Sequence, residues 1–586
     1  MENKELQNTE TRSPQEPIGK GQSRRKFLGQ FSVALATGAV LGKIPRASAQ
    51  SYNPGLGDGI AAGQGVADQR VKQALAIRVA AANQEAAIPV PPHTTNGDEQ
   101  RYPDKSATYT KGILQDGIGL VNLAAYQSFR KAINSGKFSD WENIITGGPR
   151  TQNGPLGGRA FTLEGCDDAQ LGNAPSPRNQ VNQVVVPPAP AIASAAYGTE
   201  LVEMYWGSLL RDVAFSDYAS DPIANQAAAE LSRMPAYAGP RDRSGNVTPD
   251  LLFRGSYPGD TVGPYISQFY ITPTFMGAQP IAQQMLSFVQ GVDFMTDPVT
   301  FLQVQNGIDS GASVQFDPQP RYLHDGRGLT SFTHVDVLFQ TFFTAYLVLG
   351  TMGAPVNPGN PYASSTKQNG FGTFGGPDFA ATLATAARAA LNNVWYQKWW
   401  IHLRHRPESG GGVLRQILTG AGNTLDAHLH SNVLNSRAVE ASFQTFGDYF
   451  LAQSFPEGSP THPSYPTGHG AVAGACITVL KFFFDNDFVI PNPIVPSSDG
   501  VTLVPYTGAD AGQITVAGEL NKLANNVSFG HGIHAGIHWR SDTSSSVQLG
   551  EAVAISMLQD RALTYAEPFT ISFQKIDGSI ATISNQ

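Results

Sequence analysis

Apolar side chains recur along most of this chain with a spacing near 3.6 residues, which is the period of one face of an α-helix. The pattern predicts a mostly helical protein, because strand-like alternation is scarce. The predicted helices cover residues 71–87, 120–135, 195–216, 332–349, 378–402, 471–484 and 541–562.

The C-terminal tail has a different period. Residues 569–584 alternate apolar and polar side chains on either side of Asp577-Gly578. Alternation about an Asp-Gly pair predicts a β-hairpin with a two-residue turn. The predicted fold class is therefore all-α with a minor β-hairpin near the C-terminus.

The composition predicts long irregular connections. The 586 residues include 61 glycines and 40 prolines, which is more than average usage. Such loops are expected at residues 146–191, 236–264, 353–377 and 486–515, and long loops in a compact protein often wall a functional site. The formal net charge of −8 argues against nucleic acid or an anionic membrane as a partner.

The first 49 residues differ from the rest. An Arg-Arg pair precedes an apolar run over residues 31–41, and a small-residue cleavage site ends at Ala49. This order indicates a twin-arginine export signal. The apolar run has about a dozen residues, too few to cross a bilayer as a helix. We predict cleavage after Ala49, which leaves residues 50–586 as one periplasmic or secreted domain with no membrane span.

Two cysteines, Cys166 and Cys476, are few for an exported chain of this length, so disulfides are not the scaffold. Cys476 lies in an apolar run and is predicted to be a buried small hydrophobe. The sequence leaves open whether the two cysteines pair.

Lys398 and Arg406 are the first candidates for binding an anion. Pro407 disfavours helix at the residue before it, so the preceding helix is predicted to end near His405. Lys398 then projects from the last two turns and Arg406 from the exit, where both can face one point. A compact ammonium and a planar guanidinium together suit a tetrahedral anion. The alternative is a basic helix end that only complements the helix dipole.

Residues 466–469 form the strongest local signal. Pro463 and Pro466 keep the chain extended, and Gly468 lets backbone N–H groups approach a ligand. The N-terminus of the next helix, which is apolar, adds an anion site. The Thr467 hydroxyl can donate to an oxyanion, and His469 can act as an acid or a base. The alternative is that Thr467 is only an N-cap and His469 a surface residue.

His538 and Asp542 are four residues apart and are predicted to share one helix face. A carboxylate that accepts from one ring nitrogen fixes the tautomer and leaves the other nitrogen free as a nucleophile or metal ligand. The alternative is a surface hydrogen bond within a helix.

Taken together, these segments resemble the vanadium-dependent haloperoxidases, and among them the algal and cyanobacterial bromoperoxidase type. Seven residues separate Lys398 from Arg406 as in that type, whereas the related type-2 acid phosphatases generally use six. His462, seven residues before His469, matches an additional histidine beside the vanadate of bromoperoxidases. The resemblance covers most of the mature chain and includes the stretches that begin at Tyr205, Phe253 and Asp325.

The chain departs from that family at one position of the anion site. The family has an arginine six residues before the metal-binding histidine, and Gly532 stands at that distance from His538. If one residue is inserted here, His531 takes the place of the arginine, and an imidazole binds an anion less firmly than a guanidinium. Thr467 replaces the family's serine and keeps the hydroxyl.

The resemblance implies two four-helix bundles in one compact domain, with vanadate at the end of one bundle, where phosphate can also bind. His538 would bind vanadium directly, and Asp542 would orient its ring. The residues implied to hold the vanadate oxygens are Lys398, Arg406, Thr467, Gly468, His469 and His531.

The implied reaction uses hydrogen peroxide and a halide, with bromide favoured, to make hypohalous acid that halogenates an organic acceptor. His469 would accept a proton from peroxide, Lys398 would polarise it, and His462 would tune halide handling or the proton network. Proteins of this family are commonly homo-oligomers.

Two alternatives stay open on the sequence alone. An acid-phosphatase-type phosphomonoesterase would use His538 as the phosphoryl acceptor and His469 as the acid for the leaving group. A non-catalytic oxyanion-binding relative is the other, and Gly532 is its main support.

Overall fold

The computed structural model describes residues 69, 71–80, 83, 92–160, 185–421, 425 and 427–586. The chain forms two units, residues 1–70 and 71–586, and the second unit is described below. The predicted export signal and Cys166 lie outside the described residues.

Helices dominate the described part of the chain. The α-helices are residues 71–80 (α1), Asp98–Arg101 (α2), Leu123–Ser135 (α3), Phe138–Trp141 (α4), Ala195–Leu209 (α5), Pro222–Ser232 (α6), Gln268–Ile271 (α7), Pro298–Gln305 (α8), Gly326–Val335 (α9), Gln340–Met352 (α10), Gly376–Tyr396 (α11), Pro407–Leu418 (α12), Ser431–Leu434 (α13), Arg437–Phe446 (α14), Gly468–Phe483 (α15), Val516–Phe529 (α16) and Arg540–Ala562 (α17). Two π-helical turns, Gln397–His402 and Gly530–His534, directly follow α11 and α16. Short 3-10 turns are Pro155–Arg159, Phe215–Asp217, Pro249–Leu251 and Ala511–Gln513.

Strands are short and pair only as antiparallel ribbons of two within the described residues. They are Gln115–Gly117 (β1) with Leu120–Val121 (β2), Thr274–Met276 (β3) with Gln279–Ile281 (β4), Ile494–Pro496 (β5) with Leu503–Pro505 (β6), and Thr570–Gln574 (β7) with Ile580–Ser584 (β8). The prediction of a mostly helical fold is therefore confirmed.

The central bundle is built around α15, which is buried along its whole length because its sequence is apolar on every side. Helices α11, α16 and α17 pack around it. Glycines let α15 and α17 approach closely: an added Cβ at Gly474 would lie 2.0 Å from the Val547 carbonyl oxygen, and one at Gly550 would lie 1.9 Å from that of Ala471. This packing brings the N-terminal ends of α15 and α17 together, since Thr467 N donates to Asp542 O at 3.2 Å.

A second helical group surrounds α5. Helices α6, α12, α13 and α14 pack against α5, and so does the π-helical turn at the end of α16. The core of this group includes the fully buried indoles of Trp206 and Trp539. Because Trp539 is the N-cap of α17, this core fixes the start of that helix.

Two predicted elements were wrong in detail. The helix expected over residues 332–349 is broken, because α9 ends at Val335 and α10 begins at Gln340 with a bend of 109° between them. The C-terminal hairpin has a three-residue loop and not a two-residue turn, since Lys575 N donates to Ser579 O. Gly578, with φ of 85°, takes the left-handed position that such a loop requires.

Other bounds moved for local reasons. The helix predicted from residue 120 begins at Leu123, where the Asn122 side chain accepts from Ala125 N as an N-cap. The helix predicted to residue 216 ends at Leu209. Cys476 is fully buried in α15, as predicted.

No single helix among the described residues has the length and apolar character needed to cross a bilayer. The bent pair α9 and α10 reaches that length and composition only when its two members are taken together.

Candidate active site

The segment that carries Lys398 and Arg406 contains an unusual helix end. Helix α11 runs into the π-helical turn Gln397–His402, and Leu403, with φ of 46°, stops it. The helix predicted over residues 378–402 does end at His402, whereas the end near His405 that was expected from Pro407 was three residues late. Pro407 is instead the first residue of α12, where its missing N–H is not needed, and Arg406 is the N-cap in extended conformation.

Both cations are fully buried and contact only neutral acceptors. Lys398 Nζ donates to the carbonyl oxygens of Pro463 and Ser464 at 2.7 Å each. Arg406 donates to the carbonyl oxygens of His462 and Ile537, at 3.0 and 2.9 Å. Its remaining hydrogen bonds go to the rings of His538 and His462, at 2.7 and 2.9 Å. Among the described residues, no carboxylate lies within ion-pair distance of either cation.

Thr467 is the N-cap residue of α15, but its side chain does not cap the helix. Its hydroxyl is buried and has no hydrogen-bond partner among the residues the structure describes. The first N–H groups of any α-helix lack intrahelical partners. The start of α15 therefore offers an unused hydroxyl and backbone donors beside His462, Gly468 and His469.

His538 is held by the carboxylate of Asp542, although not on one helix face as predicted. His538 precedes α17, and Asp542 is in the first turn of that helix, where it also accepts from Trp539 N at 3.1 Å. Asp542 Oδ2 accepts from His538 Nδ1 at 3.0 Å. Because Nδ1 carries the hydrogen, Nε2 has the lone pair, which accepts from Arg406.

The side chain of His531 also lies close to His538. Its ring stacks on that of His469 with centroids 3.7 Å apart and lies 5.7 Å from that of His538. A π-helical turn accommodates one additional residue in a helix, and His531 lies in such a turn. Gly532 faces His538: an added Cβ would lie 3.3 Å from both the Cβ and the backbone oxygen of His538. The structure thus brings His531, and not a side chain at position 532, to the site.

Burial and mutual repulsion shift the titration of these groups. Burial lowers the pKa of Lys398 well below its usual range, and the charge of Arg406 lowers it further. Burial also lowers the pKa of Arg406, to about 10. The pKa values of His538 and His462 fall well below normal through burial and then through Arg406 and Lys398. Both imidazoles are therefore neutral at neutral pH, in a site whose electrostatics favour a bound anion.

Comparisons with known proteins show the family to which the chain belongs. Residues 378–566, which include α15, α16, α17 and all but the first two residues of α11, match the family described as the VCPO second helical-bundle domain. The chain is 31% identical to the vanadium-dependent bromoperoxidase of Corallina officinalis over 604 residues, which cover 88% of this chain and 98% of that relative. The chain belongs to the vanadium-dependent bromoperoxidase family.

Two further similarities support the assignment. A vanadium-dependent bromoperoxidase of Ascophyllum nodosum is 30% identical over 88% of this chain and 92% of its own length. The homohexameric structure of a second vanadate-dependent bromoperoxidase from that organism has a TM-score of 0.80 and 26% identity, and 95% of each chain is covered.

The residues present fit vanadate, the cofactor of this family. A tetrahedral oxyanion needs hydrogen-bond donors and positive charge, and Lys398, Arg406 and the unpartnered Thr467 hydroxyl supply them. A metal needs a neutral nitrogen with an available lone pair, and His538 Nε2 is such an atom. An oxyanion at Nε2 would take over the hydrogen that Arg406 now donates there.

Three residues that support the site were missed in the sequence. Arg404 donates to Asp542 Oδ1 at 2.7 Å, and Ser464 Oγ donates to Asp542 Oδ2 at 2.5 Å. Asp336, immediately after α9, accepts from His469 Nε2 at 3.0 Å. Arg404 lies between the candidates Lys398 and Arg406, and Ser464 lies between the candidates His462 and His469. Their closeness in sequence to these candidates could have identified them. Asp336 lies 133 residues from His469, and no local pattern connects them.

Proposed function

We propose that this chain is a vanadium-dependent haloperoxidase, favouring bromide, that uses hydrogen peroxide to convert halide into hypohalous acid, which halogenates an organic acceptor. One observation carries the proposal. His538 is a neutral imidazole with Nδ1 held by Asp542, and its Nε2 lone pair lies beside two buried cations, neither of which forms an ion pair with a described carboxylate. Bromoperoxidase relatives that match 88% of the chain support it.

Vanadate, when bound, would supply a Lewis acid that activates hydrogen peroxide without a change in its own oxidation state. His538 would bind the metal through Nε2. Arg406, Thr467 and the first backbone amides of α15 would hold the oxygens, with His531 in the place of the family's arginine. These donors are positioned before the ligand arrives, which is the arrangement that stabilises developing charge most effectively.

His469 is proposed to move the proton. Its Nε2 donates to Asp336, so Nδ1 is the basic nitrogen of the ring. Nδ1 would accept a proton from incoming hydrogen peroxide. Lys398 uses two hydrogens on backbone carbonyls, which leaves the third to polarise a peroxide oxygen. His462, which accepts from Arg406 and packs on Trp395 with centroids 4.6 Å apart, would tune halide access.

The test combines two assays on the full chain and on His538→Ala. Vanadate-loaded protein should brominate a phenolic dye only with both peroxide and bromide present, and His538→Ala should not. Hydrolysis of p-nitrophenyl phosphate without vanadate, in the absence of bromination, would replace the proposal with a phosphomonoesterase. Absence of both activities, with no rise in melting temperature at millimolar vanadate, would indicate a non-catalytic protein.

We also propose export by the twin-arginine pathway with cleavage after Ala49, on the strength of the N-terminal pattern. N-terminal sequencing of exported protein should begin at Gln50. An Arg24→Lys, Arg25→Lys double variant should stay inside the cell. Export of that variant at the normal level would contradict the proposal.

The chain is further proposed to be a homo-oligomer. The similar Ascophyllum structure is homohexameric, and α1 exposes Val71, Leu75 and Val79 along one face at a spacing of four residues. A second copy of the chain would cover this stripe. Light scattering should give a mass several times 62.4 kDa, and Leu75→Glu should reduce it. A monomeric wild-type chain would contradict the proposal.

A further inference from the structure

His334 and Glu457 form a second histidine–carboxylate pair, outside the residues that surround Arg406 and His538. His334 is the penultimate residue of α9, and its Nε2 donates to Glu457 Oε1 at 2.8 Å. The His334 ring also stacks on Phe455, with centroids 4.1 Å apart and planes 19° from parallel. The imidazole is thus fixed by a ring contact and by a hydrogen bond.

Glu457 is itself held firmly. Its backbone carbonyl accepts from Lys111 Nζ at 2.8 Å and from Arg150 Nη1 at 3.0 Å. Lys111 is in turn paired with the buried carboxylate of Glu408. Burial raises the pKa of the Glu457 carboxyl. The hydrogen bond from His334, the charge of His334 and, to a smaller extent, the charge of Arg150 lower this pKa to about 2. Glu457 is therefore an ionised and anchored acceptor over the physiological pH range.

The pair matters because His334 lies two residues before a residue that contacts the active site. Helix α9 ends at Val335, and Asp336, the acceptor for His469, lies just beyond it in extended conformation. The side chains on either side of Asp336 do not fix it by burial, since Val335 is 64% exposed and Val337 is 56% exposed. Downstream, the chain is anchored again only where Leu338 and Phe339 meet the core. His334 is the last firmly held side chain before Asp336.

We infer that His334 and Glu457 are positioning residues, which hold the end of α9 so that Asp336 stays in hydrogen-bond contact with His469. This inference rests on the proposed function, because the proposed function gives His469 its proton-transfer role.

The groups that face His469 are Asp336 and the ring of His531, and those that face Glu457 are His334, Lys111 and Arg150. Among the described residues, the hydrogen-bond partners of Lys398 and Arg406 do not include Glu457, so we expect the effect of the pair on the reaction to pass through Asp336.

Glu457→Ala should therefore imitate Asp336→Ala, which removes the acceptor for His469. Both variants should lower kcat for bromide oxidation by about tenfold to a hundredfold, since a misplaced proton-transfer group costs about that much. Vanadate affinity, measured by equilibrium dialysis, should change less than about threefold, because the oxyanion donors are untouched. Glu457→Gln keeps an acceptor for His334 and should stay within about threefold of wild-type kcat.

The decisive measurement is the double variant Glu457→Ala, Asp336→Ala. Its kcat should be no lower than that of Asp336→Ala alone, because both changes break one chain of contacts. Multiplied effects, or wild-type kcat in Glu457→Ala, would overturn the inference. His334→Ala removes the same contact from the other side and replaces Glu457→Ala if that variant fails to fold. Asp448→Asn, which breaks the similarly half-buried ion pair with Arg415, is the matched control and should keep wild-type kcat.

A crystal structure of Glu457→Ala provides a readout that does not depend on activity. The distance from Asp336 Oδ1 to His469 Nε2 should exceed hydrogen-bond range in place of the present 3.0 Å. An intact contact would overturn the inference even if bromination is lost. Failure of the wild-type chain to brominate would instead contradict the proposed function. The distance from Asp336 to His469 in the crystal structure would still show whether His334 and Glu457 position Asp336.

Discussion

Arg404 and Arg406 lie two residues apart, and both are buried, yet their surroundings are opposite. Arg404 is paired with two carboxylates, Asp542 at 2.7 Å and Glu200 at 3.0 Å. Burial alone would lower the pKa of Arg404, but these carboxylates raise it above the usual value. Arg406 contacts only carbonyl oxygens and imidazoles, and burial lowers its pKa to about 10. Arg404 is thus ion-paired within the protein, whereas Arg406 forms no ion pair with a described carboxylate and is the candidate for binding a ligand.

The difference shows how a site for a charged ligand is made. A buried cation without a counter-ion destabilises the fold, and a bound oxyanion removes that cost. The compensated arginine supports the same site from behind, because Asp542 links Arg404 to His538. We therefore expect stability and ligand binding to be divided between two neighbouring guanidinium groups, so that substitutions can separate them.

The largest expected effect is on catalysis by Arg406→Met. Loss of a positioned cation should lower kcat for bromination by about a hundredfold to a thousandfold. The free energy of unfolding of the anion-free chain should not fall by more than about 1 kcal/mol, because an uncompensated charge leaves the interior. Dye bromination and urea unfolding measure the two quantities. Arg415→Met, at a remote half-buried ion pair, serves as the control for an arginine-to-methionine change.

Arg404→Met should do the reverse. It leaves the buried carboxylates of Asp542 and Glu200 without their cation, which should lower the free energy of unfolding by about 3–5 kcal/mol. Urea unfolding of this variant beside Arg406→Met tests the comparison directly. Greater destabilisation by Arg406→Met than by Arg404→Met would show that the two roles are assigned the wrong way round.

A smaller effect is expected at Thr467. Thr467→Val removes a buried hydroxyl that has no partner among the described residues, so the anion-free chain should gain about 1–2 kcal/mol of stability. The same variant should bind vanadate about tenfold more weakly, since a hydrogen bond to a charged group is lost. Thr467→Ser should bind normally. Weaker stability of Thr467→Val without vanadate would mean that the hydroxyl has a structural partner.

The effect of pH is the smallest when it is counted per pH unit. In the anion-free chain, the folded-state pKa of Lys398 is below the unfolded value of about 10.4, so the unfolded state binds more protons between those two values. The free energy of unfolding should therefore rise with pH in that window, by at most about 1.4 kcal/mol per pH unit for this group. Lys111 and Lys481, with pKa values lowered by burial to about 8, add to the rise above pH 8.

Unfolding curves from pH 7 to pH 10 check this prediction. Lys398→Met should reduce the slope, and saturating vanadate should also reduce it, because a bound anion restores the pKa of the ammonium. An unchanged slope in Lys398→Met would show that Lys398 is not the uncompensated charge that the comparison with Arg404 requires.

Much of the site could be predicted because its residues occur in short motifs. Pro466, Thr467 and Gly468 each favour particular backbone conformations, and α15 begins at Gly468 because of them. The sequence misled where a local rule had two outcomes: Pro407 signals either the end of one helix or the first residue of the next. It begins α12, and the preceding helix ends three residues earlier than expected.

Asp336 illustrates what could not be predicted. Residues 332–349 are apolar enough to indicate one helix, but the chain bends by 109° after Val335, and Asp336 turns to His469. No residue within one helical turn of Asp336 indicates this contact, because His469 lies 133 residues away in the sequence. The same applies to the pair of His334 with Glu457, which are 123 residues apart.

By itself the sequence determined the helical class, the candidate residues for an oxyanion site and the family, because periodicity, caps and motif spacing are local properties. Only the tertiary structure decided that Arg404 is compensated and Arg406 is not, and that His531 reaches His469 through a π-helical turn. The physical reason is that the effect of a buried charge on stability and on ligand binding depends on the groups that packing places beside it. Those groups come from α5, from α17 and from the residue that follows α9, which are distant in the chain.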